Sequence, residues 1–187
     1  MPSVSLKQWT GDRVFRVNEV DRQCQTSQSA VPPNAHLAEE NLRGLILLLS
    51  AHFQGFCRDL YTESSQIISS RVDPSLEMIV QHQFTMNCSL GYGNPNLDNI
   101  KKDFNRFGFE LDMVAADPAN HVRLAHLKEL NRWRNIAAHH GNVPPSGLPA
   151  LTTVQDWLAS CNGLACSLDS IMYNQLHVIL RHGPWVP

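Results

Sequence analysis

The sequence has no apolar run long enough to cross a membrane. Its most apolar stretch, Leu45 to Leu49, is far shorter than the roughly 20 residues a spanning helix needs. Residues 1 to 13 lack the apolar core of a signal peptide, so a cytoplasmic location is expected. Cysteines number five, an odd count without regular spacing, which points to reduced thiols and not to a disulfide framework. Cys161 and Cys166 stand five apart on a predicted helix, a poor spacing for a zinc knuckle, and neither a metal nor another cofactor is expected. There is no surplus of positive charge either: 15 Lys and Arg against 17 Asp and Glu give a formal net charge of −2. Any phosphate-binding surface must therefore be local. Internal repeats and low-complexity tracts are absent as well.

What the chain does have is ordinary globular material. Its 187 residues, 43% hydrophobic and 17% charged, suit one domain, or one domain with an appended segment. Residues 1–35 read as an N-terminal extension. "DRVFRVNEV" alternates weakly, as a short strand or hairpin would, and "QCQTSQSAVPPN" is polar and ends in two prolines. From His36 the helical period takes over. Leu42, Leu45, Leu49, Phe53, Phe56 and Leu60 recur at steps of three and four, predicting a helix to about Arg71. Asp73-Pro74 is a cap and first-turn proline for a second helix with the stripe Leu76, Ile79, Val80 and Phe84. Asn96 caps a third, with Leu97, Ile100, Phe104 and Phe107 inward and Gly108 as its stop. Asp117-Pro118 opens a fourth. Val154, Leu158, Cys161, Ala165, Leu168, Met172 and Ile179 mark a long last one. The expectation is an all-α antiparallel bundle of about five helices over residues 36–187.

The fourth helix ends unusually, in "NRWRNIAAHHGNVPP". Arg134 falls on the same side as Leu127, Leu130, Ala137 and Ala138, which are stripe positions. An unpaired buried guanidinium costs several kcal/mol, so Arg134 must find a partner or look into a crevice. His139 lies about 140° around the helix from it. The two therefore line two sides of a groove or reach toward a second copy of the helix. Gly141, Pro144 and Pro145 put His139 and His140 in the last turn, where the helix dipole favours a cation.

This "RNIAAH" stretch, with Arg134, Asn135 and His139 followed by a second histidine and a glycine, resembles the HEPN superfamily. That family's mark is an arginine, a polar residue and a histidine on a helix of an all-helical body. The resemblance covers roughly residues 36 to 183, and "GNPNLDNIKKDFNRFGFEL" looks like the segment before the motif in bacterial defence and toxin-type members. Ungapped alignment makes His139 the catalytic histidine, while His140 satisfies the looser spacing. The resemblance implies a metal-independent endoribonuclease whose site is shared across a homodimer two-fold. RNA would be cut by its own 2′-hydroxyl, leaving 2′,3′-cyclic phosphate and 5′-hydroxyl ends. Two histidines would move the protons and two arginines would hold phosphorane charge, with Asn135 orienting a histidine or binding phosphate. A toxin or phage-defence role follows from the same likeness, with an antitoxin as partner.

Other residues are candidates for supporting parts. His52, Asp59 and Glu63 share a narrow sector of the first long helix, where a carboxylate could orient a catalytic histidine; a polar stripe beside the core accounts for them equally simply. Arg123, Lys128 and Arg132, with His121 and His126, make the motif helix locally basic and suit an RNA backbone, or simply a solvated face. Trp133 fits a core or interface anchor better than a stacking platform. Two other readings compete. In one, the chain is a non-catalytic HEPN-type binding module for a nucleotidyltransferase or an antitoxin. In the other, a metal-dependent hydrolase uses His121, His126, His139 and His140, but paired carboxylates at useful spacing are missing.

Overall fold

Asn34 opens the longest helix by accepting the Leu37 N–H on its side chain at 3.0 Å, and the apolar stripe of Leu45, Leu49, Phe53, Phe56 and Leu60 behind it is wholly buried. This helix belongs to a computed structural model that describes residues 1–32, 34–139 and 147–185. Among the described residues the chain is all-helical, with seven helices and no strand. Helix α1 is a continuous run of Val4–Gln8, a π-helical turn Trp9–Arg13, and Val14–Gln28. It is followed by α2 (Ala35–Ser69), α3 (Pro74–Thr85), α4 (Leu97–Phe104), α5 (Met113–Ala116), α6 (Asn120–Ala138) and α7 (Leu151–Leu180).

The long helices α1, α2, α6 and α7 form the bundle. Cross-helix bonds give their directions. Ser5 Oγ donates to Glu63 at 2.6 Å, and Arg13 donates to the His52 carbonyl at 3.1 Å, so α1 runs antiparallel to α2. The Trp9 indole donates to Asn162 at 2.9 Å and Gln155 donates to Asp21 at 3.0 Å, so α1 is antiparallel to α7 as well. His126 meets Ser160 at 2.8 Å and Ser167 donates to Asn120 at 3.3 Å, which sets α6 antiparallel to α7.

The first 35 residues are where the structure departs most from expectation. The stretch expected to be a strand, hairpin or arm is helix α1, and it belongs to the common core. Trp9, Val17 and Cys24 are fully or almost fully buried, and the Trp9 ring meets Phe53 edge-on at 5.7 Å between centroids. Val17 and Cys24 are seven apart, one helical repeat, whereas the alternation in "DRVFRVNEV" was too short to distinguish two periods. With α1 and the four-residue α5 counted, the described residues form seven helices and not five.

Carboxylates and an arginine lock α1 down. Glu63 accepts the backbone N–H groups of Val4 and Ser5, each at 2.9 Å, and Asp169 accepts that of Ser3 at 3.2 Å. Arg13 is ion-paired with Asp59, its guanidinium lying over Gly55, where any Cβ would collide with it.

Elsewhere the boundaries follow the sequence signals. Asp73 caps α3 through Ser75, and Asn96 caps α4 through the Asn99 N–H at 2.8 Å. Gly108 adopts φ +83° just after the turn that ends in Phe107, a left-handed conformation that glycine takes without strain. Two apolar expectations fail. On α3, Leu76 and Ile79 are 49% and 59% exposed, and only Phe84 reaches inward, stacking on Phe107 at 4.9 Å. On α7, Ile179 is half exposed and Leu176 takes the buried position.

If α1 is integral to the core, Trp9→Ala should lower the unfolding free energy by about 3–5 kcal/mol in urea titration. A loss under about 0.5 kcal/mol, typical of an exposed position, would mark α1 as a dispensable appendage.

Candidate functional site

Helix α6 carries the motif to the surface by burying its other side. Leu127 and Leu130 are almost fully buried and Trp133 and Ala137 nearly so, which leaves Arg134 half-buried and Asn135 and His139 exposed. The helix stops at Ala138. His139 is its C-cap residue, with φ −107° and ψ 14°, and its N–H donates to the Asn135 carbonyl at 3.2 Å. His140 lies outside the described residues, as do Gly141, Pro144 and Pro145.

Asn135 is the hinge of the local network. Its Oδ1 accepts from Arg134 at 3.2 Å and from Asn94 Nδ2 at 3.0 Å. The motif is thereby tied to the loop before α4. Among the described residues Arg134 has no carboxylate within ion-pair distance. A guanidinium held only by a neutral amide keeps its preference for an anion with paired oxygens.

Between α6 and that loop runs a groove of about 530 Å³. Leu97, Leu124 and Leu127 give it an apolar lining. Asn94, Asn96 and Asp98 line it from the loop side, and Lys128, Asn131, Arg132 and Asn135 from α6. Asn131 is 6% exposed. Its Nδ2 makes a long bond of 3.4 Å to the Pro95 carbonyl, and its Oδ1 is buried without a partner among the described residues. Arg132 bonds Glu129 at 3.1 Å and lies over the Trp133 ring at 5.8 Å.

The loop side of the groove is fixed by buried polar bonds. Asp103, fully buried, accepts the N–H groups of Ser89 at 2.9 Å and Leu90 at 2.7 Å and the Cys88 thiol at 3.0 Å. Burial and this carboxylate push the Cys88 thiol up to about 11. Gln54 on α2 donates to the carbonyls of Leu90 and Gly93 at 3.0 and 2.8 Å. A Cβ at Gly93 would sit 2.6 Å from Asn99 Nδ2, whose bond to the Asn94 carbonyl, 2.8 Å, shapes the loop. No sequence motif announced Asn94, Asn96, Asp98 or Asn131 as groove residues; the turn-rich "GYGNPN" marked only the loop.

The structure does not bring every sequence candidate to this place. His52, Asp59 and Glu63 turn to α1 instead: Asp59 pairs with Arg13, Glu63 holds the start of α1, and the His52 carbonyl accepts from Arg13. Among the described residues neither carboxylate is bonded to His139. Arg123 faces α7, its guanidinium on Asp117 and on Asn120 at 2.9 Å and lying against Gly163, so it braces helices and is not held out toward an RNA backbone. Lys128 and Arg132 remain at the surface beside the groove. His126 is taken up by Ser160 on α7 and His121 is exposed. Among the described residues no three His, Cys, Asp or Glu side chains gather closely enough to hold a metal ion.

His52 nevertheless carries a chemical consequence. Its Nε2 is buried without a partner among the described residues, and burial, then the charges of Arg13 and Arg16, lower its pKa below the usual histidine value. A histidine harder to protonate folded than unfolded adds full stability above pH ~6.5, and that stability is lost as pH falls below this value, because the unfolded chain takes up the proton first. The urea midpoint should therefore fall between pH 7.5 and 5.5, and His52→Gln should make that fall smaller. An unchanged pH dependence in the variant would show that His52 is not its source.

No protein-family model, no curated protein and no solved structure matches this chain.

Proposed function

We propose that the chain is a metal-independent endoribonuclease of the HEPN type, acting as a homodimer. The observation that carries this reading is the end of α6. There Arg134 lacks a carboxylate partner among the described residues and is joined through Asn135 to the wall of a groove that also has Lys128 and Arg132, with His139 exposed at the helix terminus. The spacing Arg134, Asn135, His139 is the one the resemblance rests on.

The chemistry asks for three things. A base takes the proton from the ribose 2′-hydroxyl as the 2′-oxygen bonds to phosphorus. An acid gives a proton to the 5′-oxygen as its bond to phosphorus breaks. A cation holds the charge that gathers on the non-bridging oxygens. Imidazole suits both proton roles at neutral pH, and guanidinium suits the third. One motif supplies too few groups. Two motifs related by a two-fold supply a histidine pair and an arginine pair around one phosphate. A toxin or phage-defence role, with an antitoxin as partner, belongs to this same reading.

A second reading, a binding module for a nucleotidyltransferase or an antitoxin, draws on the face of α3 that leaves Leu76, Met78 and Ile79 largely exposed. Product chemistry separates the two, since a binding module makes no cyclic-phosphate ends.

Purified protein incubated with total RNA in excess chelator should yield fragments ending in 2′,3′-cyclic phosphate. Arg134→Ala and His139→Ala should each slow the cut by about a hundredfold or more with the unfolding midpoint almost unchanged, because both side chains are at least partly exposed. The same pair made in His140 tells which histidine is used. Cutting that persists in both the Arg134 and His139 variants sinks the proposal.

A further inference from the structure

We infer that Asn94 is a positioning residue for the motif: by donating to Asn135 Oδ1 it turns the Asn135 amide so that its NH₂ group joins the Arg134 guanidinium in holding one phosphodiester. The inference deepens the ribonuclease reading and rests on it for the source of that phosphodiester, the RNA backbone at the cut.

Two donors converge on one oxygen atom. Asn135 Oδ1 accepts from Arg134 at 3.2 Å and from Asn94 Nδ2 at 3.0 Å. A guanidinium can only donate, so the atom facing it is the carbonyl oxygen, and the Asn135 NH₂ group lies on the other side of the amide. The same oxygen requires Asn94 to present its own NH₂ side. With both lone pairs used, Asn135 has only N–H groups left to offer, and a phosphate oxygen is an acceptor that matches them. An amide whose oxygen accepts twice is polarised, which strengthens those donors. Asn135 is exposed, and among the described residues nothing accepts from its NH₂ group.

Arg134 cannot hold this arrangement by itself. It is a long, flexible side chain next to Asn135 in sequence, and a bond between two such neighbours leaves both free to swing. Asn94 comes from the opposite wall, and its backbone is anchored. Its carbonyl accepts from Asn99 Nδ2 at 2.8 Å, the Gly93 carbonyl accepts from Gln54 on α2 at 2.8 Å, and the Pro95 that follows is buried. These restraints act on main-chain atoms, so the loop keeps its shape when the Asn94 side chain is changed. The ligand follows from charge. Arg134 has no carboxylate within ion-pair distance among the described residues, and Lys128 and Arg132 line the groove from the same helix. A guanidinium with amide N–H groups beside it suits the paired non-bridging oxygens of a phosphodiester.

The test has a binding arm and a cleavage arm. In the first, dimethyl phosphate is titrated into wild-type protein while the Asn135 side-chain amide and the Arg134 guanidinium are followed by NMR. Both signals should shift along one binding curve, and Asn94→Ala should weaken binding about tenfold with the urea midpoint unchanged. Asn94→Asp, the same size, should weaken it further, because a carboxylate cannot donate to Oδ1 and draws the Arg134 guanidinium to itself. An Asn135 amide that dimethyl phosphate leaves unmoved overturns the inference without any variant having to fold. Equal binding by wild type and Asn94→Asp overturns it as well. In the second arm, kcat and KM are measured on an RNA oligonucleotide. Asn94→Ala should lower kcat about tenfold with KM changed less, and should cost nothing more once Asn135 is alanine. An undiminished kcat, or the same loss in the Asn135→Ala background, overturns the positioning role and leaves the nuclease standing. Phosphodiester binding that depends on Asn94, with no RNA cut by the wild type, supports the role and removes the nuclease.

Discussion

The register between α6 and α7 fixes where the motif ends up. Two polar contacts and one packing contact set it: Asn120 with Ser167 at 3.3 Å, His126 with Ser160 at 2.8 Å, and the Arg123 guanidinium lying against Gly163. Asn120, fully buried, also donates to the Met113 carbonyl at 2.8 Å and so holds α5 against the start of α6. Hydrophobic burial along Leu127, Leu130 and Trp133 supplies most of the favourable free energy but tolerates sliding. Directional hydrogen bonds do not. With the first half of α6 pinned, Arg134 and His139 emerge at a defined height beside the loop that contains Asn94.

That loop is held by a different kind of restraint. Asp103 is a fully buried carboxylate surrounded by donors, with Arg106 at 3.8 Å as its nearest cation. Arg106 in turn donates to the carbonyls of Met86 at 2.7 Å and Asn87 at 2.8 Å. The segment after α3 is thus organised by charge-assisted bonds to backbone, which are stronger than neutral ones. The two walls of the groove come from parts of the chain with separate anchors: α6 on α7, and the loop on Asp103 and Gln54.

Much of the main body was legible in the sequence because its stripes are long. The run from Leu42 to Leu60 spans several helical turns, and caps such as Asn96 and stops such as Gly108 act locally. Helix α1 was not legible, since its buried residues, Trp9, Val17 and Cys24, are spread thinly among polar ones and its attachment depends on Glu63 and Asp169, far away in sequence. The same distance effect explains the site. Arg134, Asn135 and His139 could be singled out by spacing along one helix. Asn131 became informative only once Pro95 stood beside it. Asp59 and Glu63 share a helix sector as predicted, but their partners on α1 could not be seen from that sector alone. Arg123 reads as a surface cation until Gly163 is placed against it.

Twice among the described residues an arginine from one helix rests where the neighbouring helix has a glycine: Arg13 on Gly55 and Arg123 on Gly163. Each pair works as a peg and a notch cut in different parts of the chain. A side chain at the notch evicts the peg and strands its ionic partner, while losing the peg leaves a gap in the helix contact. Drift at either position is therefore tied to drift at the other. Among descendants of this sequence each arginine and its glycine should be kept together or exchanged together.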